Sequence, residues 1–331
     1  MPRRRETWLS TQAEAPPAKT WVTAHLRLAQ IQLLLGDLAK AQVNYTAALN
    51  LAKAWEAAKP ANLLRRQELA SVFSGMADLE IRLGQVHESV ANYRAALGVL
   101  RPLDAGAPEG TRETVGICYN SLGVALTGVG PLAAALDAYR SATKVREGLV
   151  EQYPSNVRYQ RRLEVTYINI GLVLGSEEGL GDPATAAVYL TKGREIAERL
   201  ANLDSSNKQA RDDLAGVYQN IGRVRSGLNP AAAVDWFLRS VAITHELLDI
   251  SPVSVDHRWS LGILERQVAE ALGRTNRIPG GSFACTCIQR RPYQFDSVSA
   301  AQERFFAGLD EVVLRPCRSS ASRARRRRGI A

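Results

Sequence analysis

Residues 119–142 read YNSLGVALTGVGPLAAALDAYRSA, and their spacing decides the fold. Leu122, Gly123 and Leu126 fall three and four positions apart and so share one helix face. Gly130 is a natural helix stop, and Pro131 suits a first helical turn. A second helical pattern then sets Ala135 and Ala142 around Tyr139, two small residues flanking one large ring. Two helices joined by a tight turn, with a small residue of one facing a large residue of the other, make a close-packed hairpin.

The hairpin recurs along the chain. Its opening five residues come back as HLRLA at His25, FSGMA at Phe73, YNSLG at Tyr119, YINIG at Tyr167, YQNIG at Tyr218 and ERQVA at Glu265. The fourth residue is always apolar and the fifth always Gly or Ala, as at Gly123, Gly171 and Gly222. Gly36, Gly84, Gly130 and Gly181 each precede a large side chain by nine residues, reaching Tyr45, Tyr93, Tyr139 and Leu190. In the fifth copy Leu228 precedes Phe237 by nine, with Gly227 slipped by one. Small residues flank each large one: Ala41 and Ala48, Ser89 and Ala96, Ala135 and Ala142, Ala186 and Gly193, Ala233 and Ser240. Asp37, Asp182 and Asn229 stand where a second helix needs its N-cap. Fifteen residues beyond each large side chain the pattern breaks, at Pro60, Pro108, Pro154, Ser205 and Pro252, and Asn62, Gly110, Asn156, Asn207 and Ser254 follow two later. Self-similarity at fixed period implies a solenoid whose units contact only their neighbours.

This order of residues resembles the tetratricopeptide repeat over about residues 22–273. The units are longer than the usual 34 residues. The extra length lies between the second small residue and the next opening phrase, where the apolar spacing of a helix continues, as in VREGLVEQYPSNVRYQRRLEVTY. Both helices of each unit are therefore expected to be lengthened, the second helix of the third unit running from Pro131 to Gln152. The long units are also similar to the repeat regions that follow the kinase domain of some bacterial serine/threonine kinases. The resemblance implies an all-α, right-handed tetratricopeptide-like superhelix, an α-solenoid of antiparallel helix pairs. Five full units and a sixth first helix would occupy residues 21–273, between a basic segment 1–20 and an Arg-rich tail 274–331.

Composition adds exclusions. No run of 18 uncharged apolar residues is present, so nothing reads as a membrane span, and Glu6, Ser10, Thr11 and Gln12 interrupt any signal-peptide core after Arg3–Arg5. A cytoplasmic, bacterial protein is the expectation. The net charge of +9 is concentrated beyond Arg274, where the chain holds 11 of 42 basic residues and only 4 of 33 acidic ones. SRARRRRGIA at the C-terminus reads as a solvated end, because blocks of like charge repel and resist packing. Two other readings stand beside it: a nucleic-acid patch, and a shifted reading frame. Within the tail only SAAQERFFAGLDEVVL, Ser299–Leu314, reads as an amphipathic helix able to cap the stack. Trp8, Trp21 and the Phe305–Phe306 pair near the two ends suggest self-association.

Chemistry finds no foothold. Phosphate-cradling G-x-x-x-x-G-K-[ST], H-E-x-x-H, G-x-S-x-G and the kinase signatures are all missing. Cys285, Cys287 and Cys317 fall short of the four ligands zinc wants. Cys118 reads as a small buried residue, and Glu177 and Glu178 as part of a solvated loop. No enzyme activity, metal or cofactor is expected.

What remains is a surface. In tetratricopeptide arrays the residues one, five and eight positions after the opening aromatic face the concave groove. Carried over by that phrase, they are Ser74, Asp78 and Ile81 in the second unit, Asn120, Val124 and Thr127 in the third, Ile168 and Leu172 in the fourth, and Gln219, Arg223 and Ser226 in the fifth. The resemblance implies a scaffold that takes a peptide or partner helix along this mixed apolar and polar face. Asn169 and Asn220 lie near the place where some family members grip a peptide carboxylate, but no Lys accompanies them. The other readings are a regulatory region of a kinase system, detached or truncated, and nucleic-acid binding through the tail.

Overall fold

The computed structural model describes residues 18–101 and 107–275. Among these residues it is all helix and turn. The helices are α1 Ala18–Leu34, α2 Leu38–Ala57, α3 Leu63–Arg82, α4 Val86–Val99, α5 Glu109–Val129, α6 Leu132–Gln152, α7 Val157–Gly175, α8 Pro183–Leu203, α9 Lys208–Leu228, α10 Pro230–Ile250 and α11 Val255–Thr275. Most are 19–21 residues long, so the extra length of each unit does go into its helices. The fold is a tetratricopeptide-like helical solenoid. Its contacts divide it into two compact units, one up to Asn169 and one from Ile170, with the boundary inside α7.

The hairpin turns follow from single residues. Gly36, Gly84, Gly130 and Gly181 all have positive φ, between +74° and +111°, a conformation that costs glycine nothing. Asp37, Asp182 and Asn229 cap the next helix through the backbone N–H groups of Lys40, Thr185 and Ala232, at 3.2, 3.0 and 3.1 Å. The fifth unit turns differently. α9 runs helically through Gly227 and Leu228, and Asn229 alone ends α9 and caps α10. Pro131 occupies the N-cap position of α6 rather than its first turn. At the far ends, Asn62, Asn156, Asn207 and Ser254 are N-caps, accepting from Arg65, Tyr159, Ala210 and His257 at 3.1–3.3 Å. Gly110 lies inside α5, which starts after Pro108 instead. Each side-chain cap contributes about 1 kcal/mol.

In the first unit α1, α3 and α5 pack side by side, with α2 and α4 bridging successive first helices. Its core gathers Val22, Leu26, Ala29, Ala41, Tyr45, Ala48, Leu69, Val72 and Leu79. In the second, α10 packs on both α9 and α11, around Val234, Phe237, Leu264, Val268 and Ala271. The large side chain of each second helix fills the space left by a small residue. A Cβ on Gly171 would lie 2.6 Å from Leu190, and one on Gly222 2.6 Å from the Phe237 ring. Gly75 in α3 lies just as close to Tyr45 of the preceding second helix.

Candidate functional site

The residues expected to line a groove all lie on first helices, α3, α5, α7 and α9. In the first unit Ser74 and Ile81 are half-buried, while Asp78, Val124 and Thr127 are open to solvent. Ile168 is a correction. It is 4% exposed, since α7 is buried around nearly its whole circumference from Thr166 to Leu174, and an isoleucine there belongs to the core. In the second unit Arg223 is exposed, and Leu172, Gln219 and Ser226 are half-buried.

Several of these groups are braced rather than free. Asn120 accepts from Arg146 at 3.2 Å and from Asn169 at 3.4 Å, with the Thr166 hydroxyl 3.2 Å away. Gln219 makes the same kind of lateral link in the second unit, its Nε2 donating to Gln267 at 2.9 Å. Arg223 donates to Asn220 at 3.4 Å. Asn169 and Asn220 are therefore already engaged by side chains of this chain.

Asp78 has an unusual environment. Its surface is open, yet the helices around it leave it in a recess, and loss of water raises its carboxyl above the ordinary range. The Tyr93 hydroxyl donates to it and opposes the rise, as does the charge of Arg82. Tyr93 itself comes from the second helix, so its phenol reaches through the helix pair to the first-helix face. Burial, reinforced by Asp78, holds that phenol far above its usual range, and pushes Tyr45 up to about 12. Beside them the buried Cys118 thiol is pushed up to about 12 by burial, which leaves it protonated and inert at neutral pH.

Sequence reasoning missed the most unusual buried group. Arg146, in α6, is 6% exposed. Its Nη1 donates to Asn120, to the Arg162 carbonyl at 2.6 Å and to Thr166. Burial lowers its pKa to about 10; nearby Arg162 adds to the fall and Glu113 opposes it. Arg158 and Arg162 in turn pair with Glu113 at 3.0 and 3.4 Å. A second missed feature is a link at a spacing of 20 residues. Tyr167 donates to Glu147 at 2.6 Å, Tyr218 donates to Glu198 at 3.0 Å, and Lys53 lies 5.6 Å over the Phe73 ring. The signal was available, because the residue 20 before Phe73, Tyr119, Tyr167 and Tyr218 sits on the preceding second helix in each case. Glu177 also departs from expectation. It lies in the loop after α7, but its carboxylate pairs with Arg274 and its stem covers Gly227. Cys285, Cys287, Cys317, Trp8, the Ser299–Leu314 segment and the Arg-rich tail lie outside the described residues.

Among the described residues no cluster of three or more His, Cys, Asp or Glu side chains is placed to hold a metal, and no helix is long and apolar enough to cross a membrane. No protein-family model matches the chain, and no curated protein matches it. Solved structures do. BtubC (BKLC) from P. vanneervenii superposes with a TM-score of 0.53 at 17% identity, over 72% of this chain and 84% of that one. TTC0263, a thermophilic TPR protein of Thermus thermophilus, aligns over 73% of this chain and 98% of its own at 16% identity and a TM-score of 0.40. At such identities the likeness is one of fold, and in fold this chain is a tetratricopeptide-like helical-repeat protein.

Proposed function

We propose that the chain is a non-catalytic interaction scaffold that takes an extended peptide or a partner helix along the face of its first helices. The observation that carries the reading is the surface of the first unit. Val124 is 47% exposed on a face where Asp78, Thr127 and Ile81 are also accessible, above a floor tied together by Asn120, Asn169 and Arg146. An apolar anchor beside an oriented, poorly hydrated acceptor suits a ligand that buries one hydrophobic side chain and donates hydrogen bonds to the carboxylate. The bracing keeps this surface in its binding geometry before a ligand arrives, which lowers the ordering cost of association.

Selection of a displayed random-peptide library against the full chain, followed by calorimetric titration of the winning peptides, tests this reading. Val124→Glu and Asp78→Arg should each weaken binding at least tenfold. Failure to select any peptide, or peptides indifferent to both substitutions, would sink it.

A further inference from the structure

The first helices share a second stripe, on a different side from the expected groove. It runs four and one positions before the opening residue of the phrase and three and six positions after it, a spacing that keeps one helix face. In α3 the stripe is Leu69, Val72, Met76 and Leu79, packed in one core with Ala41, Tyr45 and Ala48 of α2. In α5 it is Val115, Cys118, Leu122 and Ala125, all at most 7% exposed, and in α11 it is Leu261, Leu264, Val268 and Ala271, packed with residues of α10. The second helix of the preceding repeat is what lies against this side each time. In α1 the same positions are Trp21, Ala24, Leu28 and Ile31. They are as apolar as the others, yet Trp21, Leu28 and Ile31 are 47%, 49% and 53% exposed and Ala24 is exposed as well. α1 packs on α2 and α3 through its other side, where Val22, Leu26 and Ala29 are buried, and among the described residues no second helix precedes it. The stripe on α1 is a seat for a helix that the described residues do not supply.

Two contacts between α2 and α3 show what an occupant of this seat would meet. The Tyr45 ring reaches Gly75, two positions after the opening residue of α3, and Lys53, eight residues beyond Tyr45, lies over that opening residue, Phe73. In α1 the position of Gly75 is Arg27, exposed and donating only to Gln30 of its own helix at 3.2 Å among the described contacts. The position of Phe73 is His25, which stands where Tyr167 and Tyr218 donate to Glu147 and Glu198 of the preceding second helix. α1 has Lys19, His25 and Arg27 and no acidic residue at all. We propose that the outer face of α1 docks an acidic amphipathic helix of another protein, which stands in for a preceding second helix: its apolar side covers Trp21, Leu28 and Ile31, and two carboxylates eight residues apart meet Arg27 and His25. Charge disfavours a second copy paired through α1, because Arg27 adjoins Leu28 in the middle of the stripe and a two-fold contact would set the two arginines close together with no carboxylate from either helix. A helix is favoured over a lipid surface because the same four positions receive a helix in α3, α5 and α11.

A displayed library of amphipathic helices, with two flank positions eight residues apart randomised among Glu, Gln and Lys, tests the proposal against the full chain. Selection should enrich Glu at both positions. Leu28→Glu should weaken binding of the selected helices about tenfold or more, and Arg27→Glu should do the same while selecting Lys in place of Glu at the first position. Val124→Glu should leave binding unchanged, so this result stands or falls separately from that for the first-helix groove. Failure to enrich any helix, enrichment without preference for Glu, or binding indifferent to Leu28→Glu would overturn the proposal. Three controls expose other occupants of the stripe, each of which would also overturn it. If the chain covers its own stripe, Leu28→Glu lowers the melting midpoint by well over the roughly 2 °C expected of a surface substitution. If a second copy covers it, the parent sediments as a dimer and Leu28→Glu as a monomer. If the face serves a membrane, vesicles containing anionic phosphatidylserine pellet the parent chain and not Leu28→Glu.

Discussion

The ring of Tyr139 occupies the place where a side chain on Gly123 would be. A Cβ built on Gly123 would lie 2.6–2.8 Å from three of the ring carbons, well inside contact distance, so α5 and α6 approach as closely as they do because residue 123 has no side chain. Gly123→Ala should therefore destabilise the protein by about 1–3 kcal/mol, the usual cost of overpacking. Gly148, inside α6, has nothing within 4 Å of a Cβ; there alanine should stabilise by about 0.5–1 kcal/mol through helix propensity. Urea unfolding of the two variants checks both signs, and a loss of stability in both would show that the close approach is not the cause.

Arg146 should tolerate removal of its charge better than a change in its shape. Its guanidinium is held by Asn120, Thr166 and the Arg162 carbonyl, while the Glu113 carboxylate nearby pairs with Arg158 and Arg162. Arg146→Met removes a desolvated charge while filling much of the same volume, whereas Arg146→Lys keeps a charge and loses the planar fork that serves three acceptors. Thermal melts should place Arg146→Lys below Arg146→Met in stability. The reverse order would mean that the charge itself holds α5, α6 and α7 together.

Alkaline pH should weaken the fold through its repeat tyrosines. Tyr45 is buried and its pKa is raised to about 12, against about 10 in an unfolded chain. Its contribution is therefore intact below pH 10 and is lost as pH rises from 10 through 12, amounting to roughly 3 kcal/mol at the upper end. Arg146 acts in the opposite sense, since its pKa is lowered to about 10 and its burial costs less once it deprotonates. Comparison of Tyr45→Phe with the parent chain at pH 9 and pH 11 separates the two. The parent should lose more stability over that interval than the variant, and equal losses would dismiss Tyr45 as the source.

Tyr218 and Glu198 tie the opening phrase of one repeat to the preceding second helix. A double-mutant cycle with Tyr218→Phe and Glu198→Gln should give a coupling energy of about 0.5–1.5 kcal/mol, the range for one hydrogen bond to a partly shielded carboxylate. Additive effects would mean that the bond is matched by solvent in the unfolded chain.

How much of the protein was legible in its sequence follows from which interactions are local. Gly36, Gly84, Gly130 and Gly181, and the caps Asp37, Asp182 and Asn229, act within a few residues of themselves, and each does what its residue type suggests. The exception, Gly227, shows the limit: the slipped glycine is not needed, because Asn229 makes the turn alone. The candidate surface was harder to read. A helical spacing assigns Ser74, Asn120, Ile168 and Gln219 to one position, yet it does not say that Asn120 is held by Arg146 from another helix or that Ile168 is covered.

By itself, the sequence determined the repeat, its period, the hairpin turns and the pairing of large with small residues, because these recur at constant intervals and rest on backbone conformation and side-chain volume. Only the tertiary structure decided which polar groups are free and which are consumed. Arg146 with Thr166, Tyr93 with Asp78 and Gln219 with Gln267 meet across helices 15 to 48 residues apart in the chain, and whether such groups bond to one another or remain available to a partner depends on how closely the helices pack and how much water that packing excludes.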